Sequence, residues 1–503
     1  MKPEKIFFIS GATGLVGGSL TVTALRAGHC VRLLVRNQQD RSPEERIRQV
    51  LNCLGFSSGE WIRLAPKIEI DEGDITVPRF GLSHRQWQRL ADGLSGIYHS
   101  AAYIGFRKDQ KARSVLSNID GTRHVLELAE RSRAHLFHIS TAYVAGEQKG
   151  RVAEEEVQAL SPWRNPYEET KALAEQEVHA TCRKKNLKYT VFRPAILIGD
   201  SVSGRTIRFN SIYSFMKLFH RLSKQTEPSP ALLEAKPEAT LNLVPVDVAI
   251  RAIWALSEHP GCEGKIFHIT NPSPPRFKDL AALAEIIFDL SIACSVRLPL
   301  PPRGKNGEAR ETLLSLYAPY MRGEPEFDLK NTVSLLPDYR SGFPPLAEAY
   351  FRKILTYAIE QDWKDPTALP AKRSAGKPRL EFPEKYFNEF LGGKINHPLL
   401  RNVRNLNAVF SIEIDGETNC RWVLEVREGT LLSVSRNGAA AECGYVTDGA
   451  TFERIVRGLY PPEEAFFEGR IDIRGNMEKG LRVAAVLSSF CTTYPYEEKR
   501  DPE

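Results

Sequence analysis

The sequence predicts an α/β protein in two parts, a Rossmann-type doubly wound parallel sheet with a small substrate cap followed by a separate α+β domain. Three observations predict it. Up to about residue 270, short β-branched or apolar runs alternate with longer helical patterns, the order of βαβ units. The first run passes straight into Gly11-Ala12-Thr13-Gly14-Leu15-Val16-Gly17 and a helical pattern follows, the strand–turn–helix context of a dinucleotide-binding turn. After a Pro-rich basic stretch, the pattern changes to neighbouring strand-like runs.

Six strands are expected in the first part, at Lys5–Ser10, Val31–Arg36, Ile68–Glu72, Gly96–Ala101, Leu136–Ser140 and Tyr189–Arg193. Helices fill the gaps, among them Leu15–Ala27, Val115–Arg131 and Pro166–Lys185. Residues 201 to 365 carry Pro-rich turns and amphipathic segments that suit a cap, so residues 1–365 are taken as one domain, with a core of about 1–200. Residues 366–379 have linker composition. From 380 to 503, strand-like runs at Ala408–Asp415, Cys420–Arg427 and Thr430–Ser435 precede helical patterns at Phe452–Arg457 and Leu481–Leu487.

The chain has 503 residues and a net charge of +6, far below what a dedicated nucleic-acid binder carries. Residues 376 to 503 hold 17 Lys and Arg against 20 Asp and Glu, so the surplus lies in the first part. Its 8 cysteines are scattered singly, which indicates neither a disulfide framework nor a metal site and fits reduced thiols. The apolar run Ile6–Ile9 is too short for a signal h-region, and Leu280 to Leu290, broken by Glu285 and Asp289, falls short of a membrane span of ~20 residues. A cytoplasmic protein is expected, with peripheral membrane contact left open.

Gly11 permits the tight turn, Gly14 lets backbone approach a pyrophosphate and Gly17 allows close helix–strand packing, while the helix N-terminus offers N–H donors. At the end of the second strand stands Arg36, where an acid would select NAD. An Arg there offers a fork to a 2′-phosphate, favouring NADPH, or is a solvated strand-end charge. Asp74, before Ile75, either reaches the adenine amino group or closes a turn. Tyr167 and Lys171 stand four apart on one helical face, and Ser140 and Thr141 bring hydroxyls to the carboxyl edge of the sheet. Together they form a proton-transfer set: Lys171 lowers the phenol pKa, Tyr167 protonates a carbonyl oxygen, and Thr141 or Ser140 orients it. The small His99-Ser100-Ala101-Ala102 end would lie against a cofactor. Asn118 is either part of a proton relay or a helix-start residue.

The glycine turn, Asn118-Ile119-Asp120-Gly121-Thr122, Ser140-Thr141, Asn165-Pro166-Tyr167-Glu168-Glu169-Thr170-Lys171 and Arg193-Pro194, in this order, resemble the extended short-chain dehydrogenase/reductases. Gly81-Leu82-Ser83, His99-Ser100-Ala101-Ala102, Ser140-Thr141-Ala142-Tyr143-Val144 and Gly199-Asp200-Ser201 resemble its branch of fatty acyl-CoA reductases and thioester-reductase domains. The resemblance implies NADPH-dependent reduction of an acyl thioester to an aldehyde, sometimes to an alcohol. It aligns Thr141, Tyr167, Lys171 and Asn118 with the catalytic set. It places the cofactor against Gly11, Thr13, Gly14, Leu15, Val16, Gly17, Arg36, Asp74, Ile75, Ala101, Ala102, Tyr167, Lys171, Pro194 and Ile196. No adenylation or carrier domain is expected before the reductase, and the C-terminal part differs from the one that follows fatty acyl-CoA reductases. The substrate is then a free acyl-CoA or an acyl group on a separate acyl carrier protein.

Residues of about 386 to 490 resemble a sterol-carrier-protein type domain through Asp448-Gly449-Ala450-Thr451-Phe452-Glu453-Arg454-Ile455 and the run Ala465 to Gly475 leading to Leu481-Arg482-Val483. This implies an apolar tunnel for a lipid, and Trp422, Leu424 and Val426 would line either that tunnel or an ordinary core. The reading is an NADPH-dependent reductase of a lipid carbonyl, most simply an acyl thioester. The alternatives are a sterol or polycyclic 3-hydroxy/3-oxo lipid dehydrogenase, and a lipid-binding protein that senses nucleotide without turnover.

Overall fold

The computed structural model of the chain describes residues 3–37, 41–157, 162–224, 231–233, 235–290, 292–294, 317, 319–367, 381–400, 403, 406–415, 420–438, 440–467 and 470–497. Seven parallel strands form the first sheet: β1 (Ile6–Ser10), β2 (Cys30–Val35), β3 (Ile68–Glu72), β4 (Gly96–His99), β5 (His135–Ile139), β6 (Tyr189–Pro194) and β7 (Ile266–Ile269). Their order is β7-β6-β5-β4-β1-β2-β3, so the direction of winding reverses between β1 and β4, and the crevice beyond the carboxyl ends there is where ligands bind in such sheets. The registers Ser10↔His99 and Ile139↔Phe192 bring the chemistry-bearing strand ends to one edge.

Helices cover both faces because the strands are buried on both. Principal among them are α1 (Leu15–Arg26), α2 (Pro43–Cys53), α3 (Gly121–Ser132) and α4 (Pro166–Lys185). Phe8, Ile97, Leu136 and Val191 from the strands pack with Leu90, Leu126 and Val178 in one core. Local chemistry fixes the helix ends. Ser42 and Glu45 form a capping box on α2, with Pro43 in the first turn. Asn165 caps α4 by accepting from the Glu168 N–H, and the left-handed Asn186 ends it.

The structure adds to the expected layout in three places. A seventh strand, β7, follows the six, and pairs with β6. The helix expected over Val115–Arg131 starts earlier, at Lys111, and passes through a π-helical stretch at Val115–Asp120 before α3. The division of the chain also differs. The first compact unit holds 1–207, 234–295 and 319–357, whereas the second takes in 208–233, 296–318 and 358–503. A segment assigned to the cap, α5 (Ile212–Leu222), therefore belongs with the C-terminal unit. Leu218 packs on its core, Lys217 Nζ donates to the Phe466 carbonyl at 3.1 Å and Arg221 pairs with Asp472. Most of the expected linker lies outside the described residues.

In the second unit, five strands, β8 (Ala408–Asp415), β9 (Arg421–Arg427), β10 (Thr430–Arg436), β11 (Cys443–Asp448) and β12 (Ile471–Gly475), form a mixed sheet in the order β10-β9-β8-β11-β12. β8 and β11 run parallel and the other neighbours antiparallel. Phe387 stacks on Trp422 with ring centroids 4.8 Å apart and on Phe452 at 5.4 Å. Trp422, Leu424 and Val426 are buried in this packed core, the ordinary-core alternative for these three side chains. Among the described residues, no helix is long and apolar enough to cross a membrane.

Candidate active site

The site is assembled from the ends of β1, β4, β5 and β6 and the first turns of α1 and α4. Gly11 has φ +73°, and a Cβ there would stand 2.7 Å from the Ala101 nitrogen, so only glycine fits the turn. At Gly17 a Cβ would meet the Gly11 oxygen at 2.3 Å. Ser100 donates to the Ser10 carbonyl at 2.7 Å and ties the two strand ends together. No side chain caps α1 and no acid stands in its first turn. Its N–H donors and the positive end of its dipole therefore meet the crevice unneutralised, the arrangement that holds a pyrophosphate. Thr13, Leu15 and Val16 are half-buried around this end and Ala102 is exposed beside it.

Arg36 is exposed beyond the end of β2. Its carbonyl accepts from Arg46, in the first turns of α2. Burial lowers the Arg46 pKa, and the charges of Arg36 and Arg41 lower it further, so positive charge gathers at this strand end. Sequence reasoning missed Arg46; the signal was a basic residue just inside the capped helix after strand two. Asp74 closes a turn, its Oδ1 accepting from the Thr76 N–H and hydroxyl, both at 2.9 Å. The Ile75 side chain lies in the core against Gly121, leaving its backbone as its means of touching a ligand.

The Thr141 hydroxyl lies close enough to the Tyr167 phenol to favour its charged form. Thr141 is buried, and its hydroxyl also donates to the Pro194 carbonyl at 3.3 Å. Ser140, its neighbour on the strand, is also buried and lies towards Glu175, further along α4. Lys171 is 3% exposed and donates to the Ile139 carbonyl at 2.6 Å. Burial lowers its ammonium to about 8, opposed by the Glu175 carboxylate. Burial pushes the Tyr167 phenol up to about 12, against the Thr141 hydroxyl, and the charge of Glu168 adds to the rise. In the protein's own contacts the phenol is thus held protonated, the opposite of the lowering expected from Lys171. Ile196 opens a short strand, Ile196–Ile198, just past Pro194.

Asn118 is buried within the π-helical stretch and fully engaged. Its Oδ1 accepts from the Tyr103 N–H at 2.7 Å, while Nδ2 donates to the Tyr103 carbonyl at 3.0 Å and to the Thr170 hydroxyl at 2.9 Å. It is therefore not a helix-start residue; it fastens the loop after β4 to α4. Below Lys171, the helical stripe continues through Glu175, whose carboxylate takes the fully buried Arg193 guanidinium at 3.2 Å from Nε.

Residues 9–253 match the family model "Male sterility protein", an NAD-binding domain, and residues 387–488 match the SCP-2 sterol transfer family. A nonribosomal peptide synthetase of Aspergillus flavus is 27% identical over 300 residues, 56% of this chain and 28% of that protein. A putative fatty acyl-CoA reductase of Drosophila melanogaster is 28% identical over 317 residues, 54% of this chain and 60% of that protein. The chain thus spans less than two thirds of the length of either relative. The crystal structure of the terminal R domain from the myxalamid biosynthetic pathway shares the fold, with a TM-score of 0.62 and 24% identity over 72% of this chain and 92% of that one.

Proposed function

From the premise that the chain joins a reductase domain of the male sterility NAD-binding family to an SCP-2 domain, and is an NAD(P)-dependent reductase, we propose that it reduces a lipid acyl thioester with NADPH. The observation that carries the reading is the convergence of Thr141, at the end of β5, with Tyr167 and, one helical turn on, Lys171, whose ammonium donates to the Ile139 carbonyl at the carboxyl edge of the sheet. The residues fit a nicotinamide dinucleotide: the α1 amides for its pyrophosphate, Arg36 and Arg46 for a 2′-phosphate, and Lys171 for ribose hydroxyls. Once bound, it supplies the hydride for the carbonyl carbon.

Thr141 orients the thioester carbonyl oxygen, and Tyr167, still protonated, gives that oxygen its proton as charge develops there. Collapse of the hemithioacetal expels the thiol and leaves an aldehyde. The acyl group would come as acyl-CoA or on a carrier protein, and the SCP-2 domain would hold lipid. Incubation of the protein with NADPH or NADH and a panel of acyl-CoAs, carrier-bound acyl chains and oxo-sterols tests this. Thiol release should match NADPH oxidation, NADH should serve less well, and Tyr167→Phe should lower turnover by about two to four orders of magnitude. Reduction of an oxo-sterol without thiol release would overturn the reading.

A further inference from the structure

Residues 319–324 lie in the irregular part of the chain, yet two of their side chains reach polypeptide on either side of the proton donor. The Tyr320 hydroxyl donates to Glu168 Oε1 at 2.6 Å and accepts from Asn165 Nδ2 at 2.7 Å. Glu168 is the residue after Tyr167, and Asn165 is the cap of α4. Arg164 stands over the Tyr320 ring at 5.2 Å and 3.5 Å from the Glu168 carboxylate, closing the group. Four residues further on, Glu324 Oε2 accepts from the Tyr143 hydroxyl at 2.8 Å. Tyr143 in turn donates its N–H to Thr141 Oγ1 at 3.3 Å. The rings of Tyr143 and Tyr320 meet edge-on at 5.3 Å, and Phe106 stands between Tyr320 and Tyr167 with centroids 6.1 and 6.2 Å away.

The phenol of Tyr167 and the hydroxyl of Thr141 sit on separate arms, one the first turn of α4 and the other the turn Ala142–Ala145 after β5. The 319–324 segment bonds to both arms beside their reactive residues, twice to the α4 arm through Tyr320 and once to the other through Glu324. These bonds are buried, Tyr320 being 7% and Tyr143 5% exposed, so water does not replace them cheaply. We propose that Tyr320 and Glu324 are positioning residues of the reductase site, clamping the two arms so that Thr141 and Tyr167 address the same carbonyl oxygen.

The clamp rests on the thioester-reductase reading, and one set of measurements separates the two. The variants are Tyr320→Phe, Glu324→Ala and Glu324→Gln; the readouts are kcat, KM for acyl-CoA and for NADPH, and NADPH binding by fluorescence. A displacement of about 1 Å at a reacting pair costs about a hundredfold, so Tyr320→Phe and Glu324→Ala should lower kcat roughly ten- to hundredfold with NADPH binding unchanged. Glu324→Gln, whose amide oxygen still accepts from Tyr143, should keep kcat within about threefold of the parent protein. Parent-like kcat in Tyr320→Phe, or parallel loss of NADPH binding in all three variants, would overturn the clamp alone. Absence of thioester turnover by the parent protein would sink the functional reading and the clamp with it.

Discussion

Lys171 holds its proton in a place that works against it. The ammonium is buried at the sheet–helix interface and donates to the Ile139 carbonyl, and burial lowers its pKa to about 8, Glu175 supplying the opposing charge. The charged form prevails below that value and is lost as pH rises through it. If ammonium is needed to hold ribose and support Tyr167, kcat/KM should be level from about pH 6 to 7.5 and fall roughly tenfold per unit above about 8. Glu324 is pushed up to about 8 by its own burial and titrates over the same range. The decline should therefore survive in Glu324→Gln; a profile level to pH 10 in the parent protein, or one levelled by that variant, would assign it elsewhere. At this scale the candidate site residues could be picked out in the sequence because each sits in a local pattern: a glycine turn, a strand-end hydroxyl, a Tyr and a Lys one helical turn apart. Tyr320 and Glu324 were not, because their partners come from distant segments that only the folded chain brings together.

Among the elements, α4 carries most of the site on one stripe. Tyr167, Lys171, Glu175 and His179 follow at intervals of four and face the sheet, so one helix joins the proposed proton donor, a buried ammonium and a structural anchor. The anchor is the buried pair of Glu175 with Arg193, neither more than 2% exposed. Removing one partner of such a pair leaves an uncompensated charge out of water, which costs about 3–5 kcal/mol. Glu175→Gln should therefore destabilise the first unit by about that amount in urea unfolding, and should also depress the Lys171 pKa further. A loss below about 1 kcal/mol would mean that Arg193 finds enough compensation from the Glu155 carbonyl, 2.8 Å from its Nη2. Element positions followed the hydrophobic pattern closely because strand burial on both faces leaves continuous apolar runs. The π-helical stretch did not show in it, since it comes from Asn118 gripping the Tyr103 backbone, a contact with no periodic signature.

Over the whole molecule, the weak positive charge turned out to be an average of unlike parts, and so did the core. The first unit packs its sheet with aliphatic and aromatic side chains such as Phe8, Leu126 and Val178, whereas the C-terminal unit centres on stacked rings of Phe387, Trp422 and Phe452. The linear order of the chain did not reveal that α5 contributes to the second of these cores, because an amphipathic helix does not say which apolar surface it covers. Two cores make a single unfolding transition the exception. Differential scanning calorimetry should accordingly resolve two transitions, and NADPH should raise the one belonging to the first unit, as any ligand bound only to folded protein does. Phe387→Ala removes a fully buried ring and should cost about 3–5 kcal/mol, lowering the other transition. Its effect on kcat with a short, water-soluble acyl-CoA should be small, because that ring takes no part in the proton-transfer site. One transition, moved together by NADPH and by Phe387→Ala, would instead show that the two cores melt as a single cooperative body.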